Sequence, residues 1–205
     1  LILGSFINVV IYRLPKNKSI VKPRSFCPKC KSSIPLYRNI PILTYCLQLG
    51  RCHSCKNKIS IQYPLIELLI GIVWFIPSVY FPINSEIFYF STIATILIAI
   101  AFIDYKYFII PIELSLCSII FIIPYIFYFK SELMANHFFA MLIGAGYLSF
   151  VLLLLFLLTK KQTLGFGDIQ LLLVLGLWVG DSFKIVLIIF LGALFALLGW
   201  IILSF

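Results

Sequence analysis

Charge is scarce in this chain. Only 11% of its 205 residues are Asp, Glu, Lys or Arg, and seven are acidic. A soluble domain carries about 25% charge and about 45–50% apolar residues, so a hydrophobic fraction of 62% places this chain in lipid and excludes an ordinary water-soluble globule. Histidine is limited to His53 and His137, and no H-E-x-x-H occurs. A zincin-type metalloprotease or a Ser–His pair therefore has little material. Internal repeats and low-complexity linkers are also lacking. The net charge of +9 does not point to nucleic acid, because the cations cluster and are not interleaved as on a phosphate-tracking surface.

The clustering gives topology instead. Arg13, Lys16, Lys18, Lys22, Arg24, Lys29, Lys31, Arg38, Arg51, Lys56 and Lys58 fall between Tyr12 and Tyr63 with no acidic residue among them. The positive-inside rule makes that loop cytoplasmic. Alternating sides from there predicts spans over about 63–81, 87–103, 107–129 and 138–158, a sixth ending near Gly180, and a seventh over 185–205. Lys106, Lys160 and Lys161 then join the cytoplasmic side, with only Lys130 and Lys184 opposite. Residues 1–12 are too short to cross a bilayer alone and are expected to be the remainder of a truncated first helix. The expected architecture is an all-α polytopic membrane protein of about seven transmembrane helices. It divides into the partial helix 1–12, a basic loop 13–62 and a helical bundle 63–205.

The loop carries Cys27-Pro-Lys-Cys30 and Cys52-His-Ser-Cys55, two C-x-x-C knuckles each followed by Lys. Two thiolates three residues apart on a tight turn can occupy adjacent vertices of a tetrahedron, and the second pair would close a structural zinc site. Disulfides are disfavoured in a reducing cytoplasm. Cys46 and Cys117 are expected to be packing residues, and His53 a bystander inside its knuckle.

Carboxylates at membrane depth need a reason. Asp104 ends the third span after 17 uncharged residues, and Asp168 lies in Leu164-Gly-Phe-Gly-Asp168, 12 uncharged residues before Asp181. Twelve residues rise about 18 Å, short of a roughly 30 Å hydrocarbon core. A spanning helix must therefore start before Asp168 and draw it against the membrane. Both aspartates then sit at cytoplasmic helix ends, where two carboxylates sharing one proton could act as general base and general acid. From position alone, two interfacial helix-end residues explain the pattern equally well. Gly165 and Gly167 would offer an unencumbered, irregular backbone to an extended substrate. Glu67 and Glu113 are candidates for a polar pocket, whereas Glu86, Glu132 and Asp181 fall in outer connections and are expected to be solvated.

Taken in order, several stretches resemble the type IV prepilin leader peptidases, whose longer form also N-methylates its product. The matching segments are residues 4–15 (GSFINVVIYRLP), 24–30 (RSFCPKC), 39–42 (NIPI), 50–55 (GRCHSC), 59–60 and 63–67 (YPLIE), Ile103-Asp104 with Ile110-Pro111, and 165–168 (GFGD) running to Leu175-Gly176. The resemblance implies a bacterial inner-membrane aspartic endopeptidase. It would cut type IV prepilin or pseudopilin precursors at the cytoplasmic face, with Asp104 and Asp168 as catalytic pair and Cys27, Cys30, Cys52 and Cys55 as zinc ligands. S-adenosylmethionine as methyl donor rests on the resemblance alone. Two positions depart from the family pattern: Ile112 and Glu113 stand where an Asp usually follows the proline, and Gln170 replaces a usual Lys. The family normally continues beyond the last span, so the chain is expected to be a fragment at both ends. An ion or proton transporter would need charge near the midplane, and an inactive zinc-loop assembly protein would not need both aspartates. A presenilin-like protease is disfavoured by the absence of a Pro-Ala-Leu segment.

Overall fold

In the computed structural model, which describes residues 1–35, 40–82, 84–160 and 165–204, regular structure is helical apart from two isolated β-bridges. In chain order the helices are α1 (Ile2–Arg13), α2 (Leu43–Leu47), α3 (Gln62–Tyr80), α4 (Asn84–Tyr107), α5 (Ile112–Phe129), α6 (Met134–Thr159), α7 (Phe166–Val179) and α8 (Ser182–Ser204). Helices α3, α4, α5, α6 and α8 are long and apolar enough to cross a bilayer. Helices α1 and α7, counted among the seven expected spans, have 12 and 14 residues. Expected residues Arg38, Asn39, Lys161 and Leu164 lie outside the described ones.

Boundaries differ from the sequence expectation for local reasons. Helix α4 runs on through Asp104 to Tyr107 and stops where Phe108 turns left-handed at φ 55°. Pro111 then biases the residue before it away from helix, so α5 starts at Ile112, not Tyr107. At its other end α4 begins at Asn84, earlier than expected. That places Glu86 in the first helical turn, where it is buried and not solvated. Negative charge there complements the helix dipole.

The chain forms two compact units, Leu1–Pro111 and Ile112–Phe205. In the first, α1 packs on α3 and α4. The crossing with α3 is so close that a Cβ on Gly4 would sit 2.6 Å from the Glu67 Cα, which only glycine allows. Asn8, buried beside it, donates its amide to the Gly4 carbonyl at 3.2 Å and the Tyr63 carbonyl at 3.1 Å. Between α3 and α4, the Trp74 indole donates to Thr95 Oγ1 at 3.1 Å and the Ser91 hydroxyl to the Val73 carbonyl at 3.2 Å. Small residues and interhelical hydrogen bonds of this kind hold helices together where apolar burial drives nothing.

In the second unit, α6 and α7 meet across Gly176, whose Cβ would lie 2.6 Å from the Ala140 carbonyl oxygen. Buried His137, near the start of α6, donates Nδ1–H to the Leu177 carbonyl at 2.8 Å. That carbonyl is in the last turn of α7, where no helical donor remains.

Candidate active site and metal centre

The two cysteine knuckles are built alike. In the first, Cys27 N–H donates to the Ser32 carbonyl at 2.9 Å and Lys31 N–H returns to the Cys27 carbonyl at 2.8 Å. In the second, Cys52 N–H donates to the Asn57 carbonyl at 2.8 Å and Lys56 N–H to the Cys52 carbonyl at 2.9 Å. Lys31 and Lys56 both adopt φ 57°, the left-handed turn that swings each strand back. The two isolated bridges, Phe26 with Ser33 and Arg51 with Lys58, close the hairpins.

This repetition brings four sulfurs together. Cys27 Sγ lies 3.9 Å from Cys55 Sγ, Cys30 Sγ lies 4.0 Å from Cys52 Sγ, and all four fall within 4.8 Å of one another. A tetrahedron with Zn–S bonds of about 2.3 Å has sulfurs about 3.8 Å apart. The cluster could therefore hold a metal ion, with every vertex supplied by protein. Ser32 Oγ lies 3.0 Å from Cys30 Sγ, and Asn57 Nδ2 donates to Cys55 Sγ at 3.5 Å. These contacts set the thiols apart. Hydrogen bonds from Ser32 lower Cys30, and those from the Asn57 backbone and amide hold Cys55 down to about 6. Burial pushes Cys27 up to about 11. His53 is exposed and outside the cluster.

Arg13 ties this module to the membrane part. Although it counts among the loop cations, it is buried: its guanidinium donates to the Ser19 carbonyl at 3.0 Å and the Arg24 carbonyl at 3.3 Å and lies over the Phe26 ring. It occupies the last turn of α1, where cations are favoured. Neither Arg13 nor Asn8 stood out in the sequence, although both lie in the segment 4–15 that carries the family likeness. Cys46, expected to pack, is exposed on α2, and Cys117 is half-buried in α5.

A cavity of about 440 Å³ lies in the first unit between the knuckles, α1 and the start of α3, lined among others by Asn8, Tyr45, Gln48, Tyr63, Glu67 and Lys106. Glu67 lines this cavity, and its Oε2 accepts the Ile42 backbone N–H at 2.8 Å. Ile42 has φ 60°, uncommon for a β-branched residue. Glu113, by contrast, is exposed in the first turn of α5.

Asp104 is half-buried in the last turn of α4 beside fully buried Ile103. Asp168 is half-buried in the first turn of α7. Its backbone N–H bonds the carbonyl of Gly165, which is extended at φ −79°. Gly167 lies inside the helix, so irregular backbone is found at Gly165 alone of the two. Helix α7 begins only two residues before Asp168. Nearby, Gln170 Nε2 reaches Ser115 Oγ of α5 at 2.5 Å, a polar bridge at the position where the family usually has Lys.

Comparison with known proteins matches the chain in two stretches. The Bacterial Peptidase A24 N-terminal domain model matches residues 1–81, and the Type IV leader peptidase family model matches residues 91–202. A protein named prepilin leader peptidase/N-methyltransferase from Myxococcus xanthus is 36% identical over 180 residues, covering 86% of this chain and 52% of that protein. One of the same name from Neisseria gonorrhoeae is 33% identical over 228 residues, covering 98% and 79%. A third, from Bacillus subtilis, is 32% identical and covers 88% and 71%. The chain thus spans about half the Myxococcus relative and more than two thirds of the others. No solved structure matches it. Matched in order along nearly its whole length, the chain belongs to the Type IV leader peptidase family.

Proposed function

We propose that the protein is an intramembrane aspartic endopeptidase that removes the leader from type IV prepilin or pseudopilin precursors at the cytoplasmic face of the bacterial inner membrane. The observation that carries this reading is that the peptidase family match, residues 91–202, contains Asp104 and Asp168, each half-buried within a terminal turn of its helix. By the charge bias, both ends belong on the cytoplasmic side.

Asp104 and Asp168 act as a pair that shares a single proton. The ionised carboxylate takes a proton from water as it attacks the scissile carbonyl; the protonated one donates to the carbonyl oxygen and then assists the departing amine. Extended backbone at Gly165 gives a substrate strand a place to lie close to Asp168. In this reading residues 13–62 form the zinc-binding module and 63–205 the peptidase bundle. Cys27, Cys30, Cys52 and Cys55 would hold Zn²⁺, which fixes the loop and takes no part in hydrolysis. The relatives' names include N-methyltransferase, and we extend that activity to this protein. S-adenosylmethionine would supply an electrophilic methyl group to the new N-terminus.

The test is leader cleavage of a prepilin in membranes by the full-length parent, Asp104→Asn and Asp168→Asn. Each substitution should abolish cleavage while the protein still inserts and keeps its metal. Near-parental cleavage by either variant would sink the aspartic mechanism.

A further inference from the structure

Helix α2 is turned inside out. Thr44, Tyr45 and Gln48, its polar and half-buried residues, line the cavity. The opposite face, Leu43, Cys46 and Leu47, follows the i, i+3, i+4 spacing of one helical stripe and is exposed. Leu47 is 75% exposed and Leu49, just past the helix, 85%. Leu49 also adopts φ 50°, a conformation rare for residues other than glycine. In water such a surface would be costly.

A chain of contacts fixes where this face sits. Gly50, at φ +64°, packs against the Tyr45 ring and donates its N–H to the Tyr45 carbonyl at 2.9 Å, so α2 is folded onto Gly50. The Gly50 carbonyl in turn accepts the Ile59 N–H at 2.7 Å. Ile59 is two residues, at most about 7 Å of chain, from Ile61, which precedes α3 and is 74% exposed. Helix α3 has 19 residues, about 28 Å at 1.5 Å each, so all of it is needed to cross a hydrocarbon core of about 30 Å. A spanning α3 would put Ile61 at the edge of the hydrocarbon, and the Gly50–Ile59 hydrogen bond keeps Leu49 close to it.

Cations flank them. Arg51, Lys56 and Lys58 are all exposed on the second knuckle, within a loop that has no acidic residue. A second exposed apolar tip, Ile20-Val21, lies between Lys18 and Lys22 and is held near the end of α1 by the Arg13 bond to Ser19. Apolar residues at the acyl boundary with cations at headgroup level are the pattern of an interfacial membrane anchor.

We propose that the outer face of α2, with Leu49 and Ile61, lies in the interfacial layer of the protein's own bilayer, and that the second knuckle binds anionic lipid headgroups. The metal-binding module is then laid against the membrane, not suspended from it by its ends. Lipid is favoured over an apolar helix of a substrate because a basic rim matches anionic headgroups, whereas a prepilin leader is itself basic.

The full chain is reconstituted in phosphatidylcholine vesicles containing tritiated phosphatidylglycerol, with photoreactive benzoylphenylalanine placed at Leu47, Leu49, Tyr45 or Phe195. Phe195 on α8 is the lipid-facing control and Tyr45 the cavity-facing one. Labelled lipid should attach at 47 and 49 as at 195, and not at 45. Labelling at 195 without labelling at 47 and 49 overturns the proposal, as does attachment to an added apolar pilin-type helix in preference to lipid. Arg51→Gln, Lys56→Gln and Lys58→Gln together should lower the ratio of glycerol to choline lipid captured, by up to about fivefold per cation; an unchanged ratio removes the headgroup contact. The unmodified chain guards against misfolding of labelled variants. Amide exchange over 43–49 should be slower in vesicles with phosphatidylglycerol than in those without, and equal rates overturn the proposal.

Discussion

At the scale of single residues, Glu67 separates a structural role from a catalytic one. Its carboxylate is buried and accepts the N–H of strained Ile42, so what the site requires is an acceptor oxygen. Glu67→Gln keeps one, and Glu67→Ala leaves the donor unpaired. The alanine variant should lose about 1–3 kcal/mol and expose residues 40–61 to protease, while the glutamine variant keeps both loop order and leader cleavage. Limited proteolysis and the cleavage assay read the two effects. Loss of cleavage in Glu67→Gln with an intact loop would show that the carboxylate takes part in chemistry. Residue identity made Glu67 visible, since a carboxylate in an apolar helix demands an explanation. Arg13 and Asn8 were hidden because their burial depends on how α1 lies against α3 and the loop, which no periodicity within α1 encodes. Gly4, where the approach is closest, was legible only as part of a motif.

At the scale of elements, spacing and φ angles explain both what could be read and what could not. Two C-x-x-C pairs each followed by Lys forecast two tight-turned knuckles, and the left-handed Lys31 and Lys56 show how each one turns. Substituting Cys52→Ser should abolish stoichiometric metal, measured by elemental analysis of the purified protein, and chelation of the parent should make the loop sensitive to protease. Helix ends were less legible. The left-handed Phe108 that ends α4 carries no sequence signal, and α7 starts later than a full crossing would need. The end of α7 gives a sharper test. Gly180 has φ +65°, and a Cβ there would strike the His137 ring. Gly180→Ala should destabilise through both strain and clash, by about 1–3 kcal/mol from the backbone alone. Combining it with His137→Ala removes the clash, so the double variant should be less destabilised than the sum of the two singles, by about 0.5–3 kcal/mol. Thermal unfolding in detergent measures the cycle, and strict additivity would mean that the ring and the turn do not press on each other.

At the scale of the whole molecule, composition alone pointed to the membrane, and the expected crossing order rests on where sixteen cations fall. The five membrane-capable helices α3, α4, α5, α6 and α8 leave the short α7 as the weak link in that alternation, because 14 residues rise only about 21 Å. If α7 nonetheless carries the chain across, with Asp168 entering on the cytoplasmic side, then Lys184 and Asp181, which pair at 3.4 Å just beyond it, lie outside with Lys130. Single cysteines at Lys130, Lys184 and Lys160, placed in a background lacking Cys46 and Cys117 and holding metal at the other four, decide the matter. A membrane-impermeant maleimide added to right-side-out vesicles should label 130 and 184 and spare 160; inverted vesicles should give the reverse. If 184 labels together with 160, helix α7 does not cross. Asp168 would then belong to a re-entrant segment, and the proposed pair would be approached from a cavity within the bundle and not from the cytoplasmic end of a spanning helix.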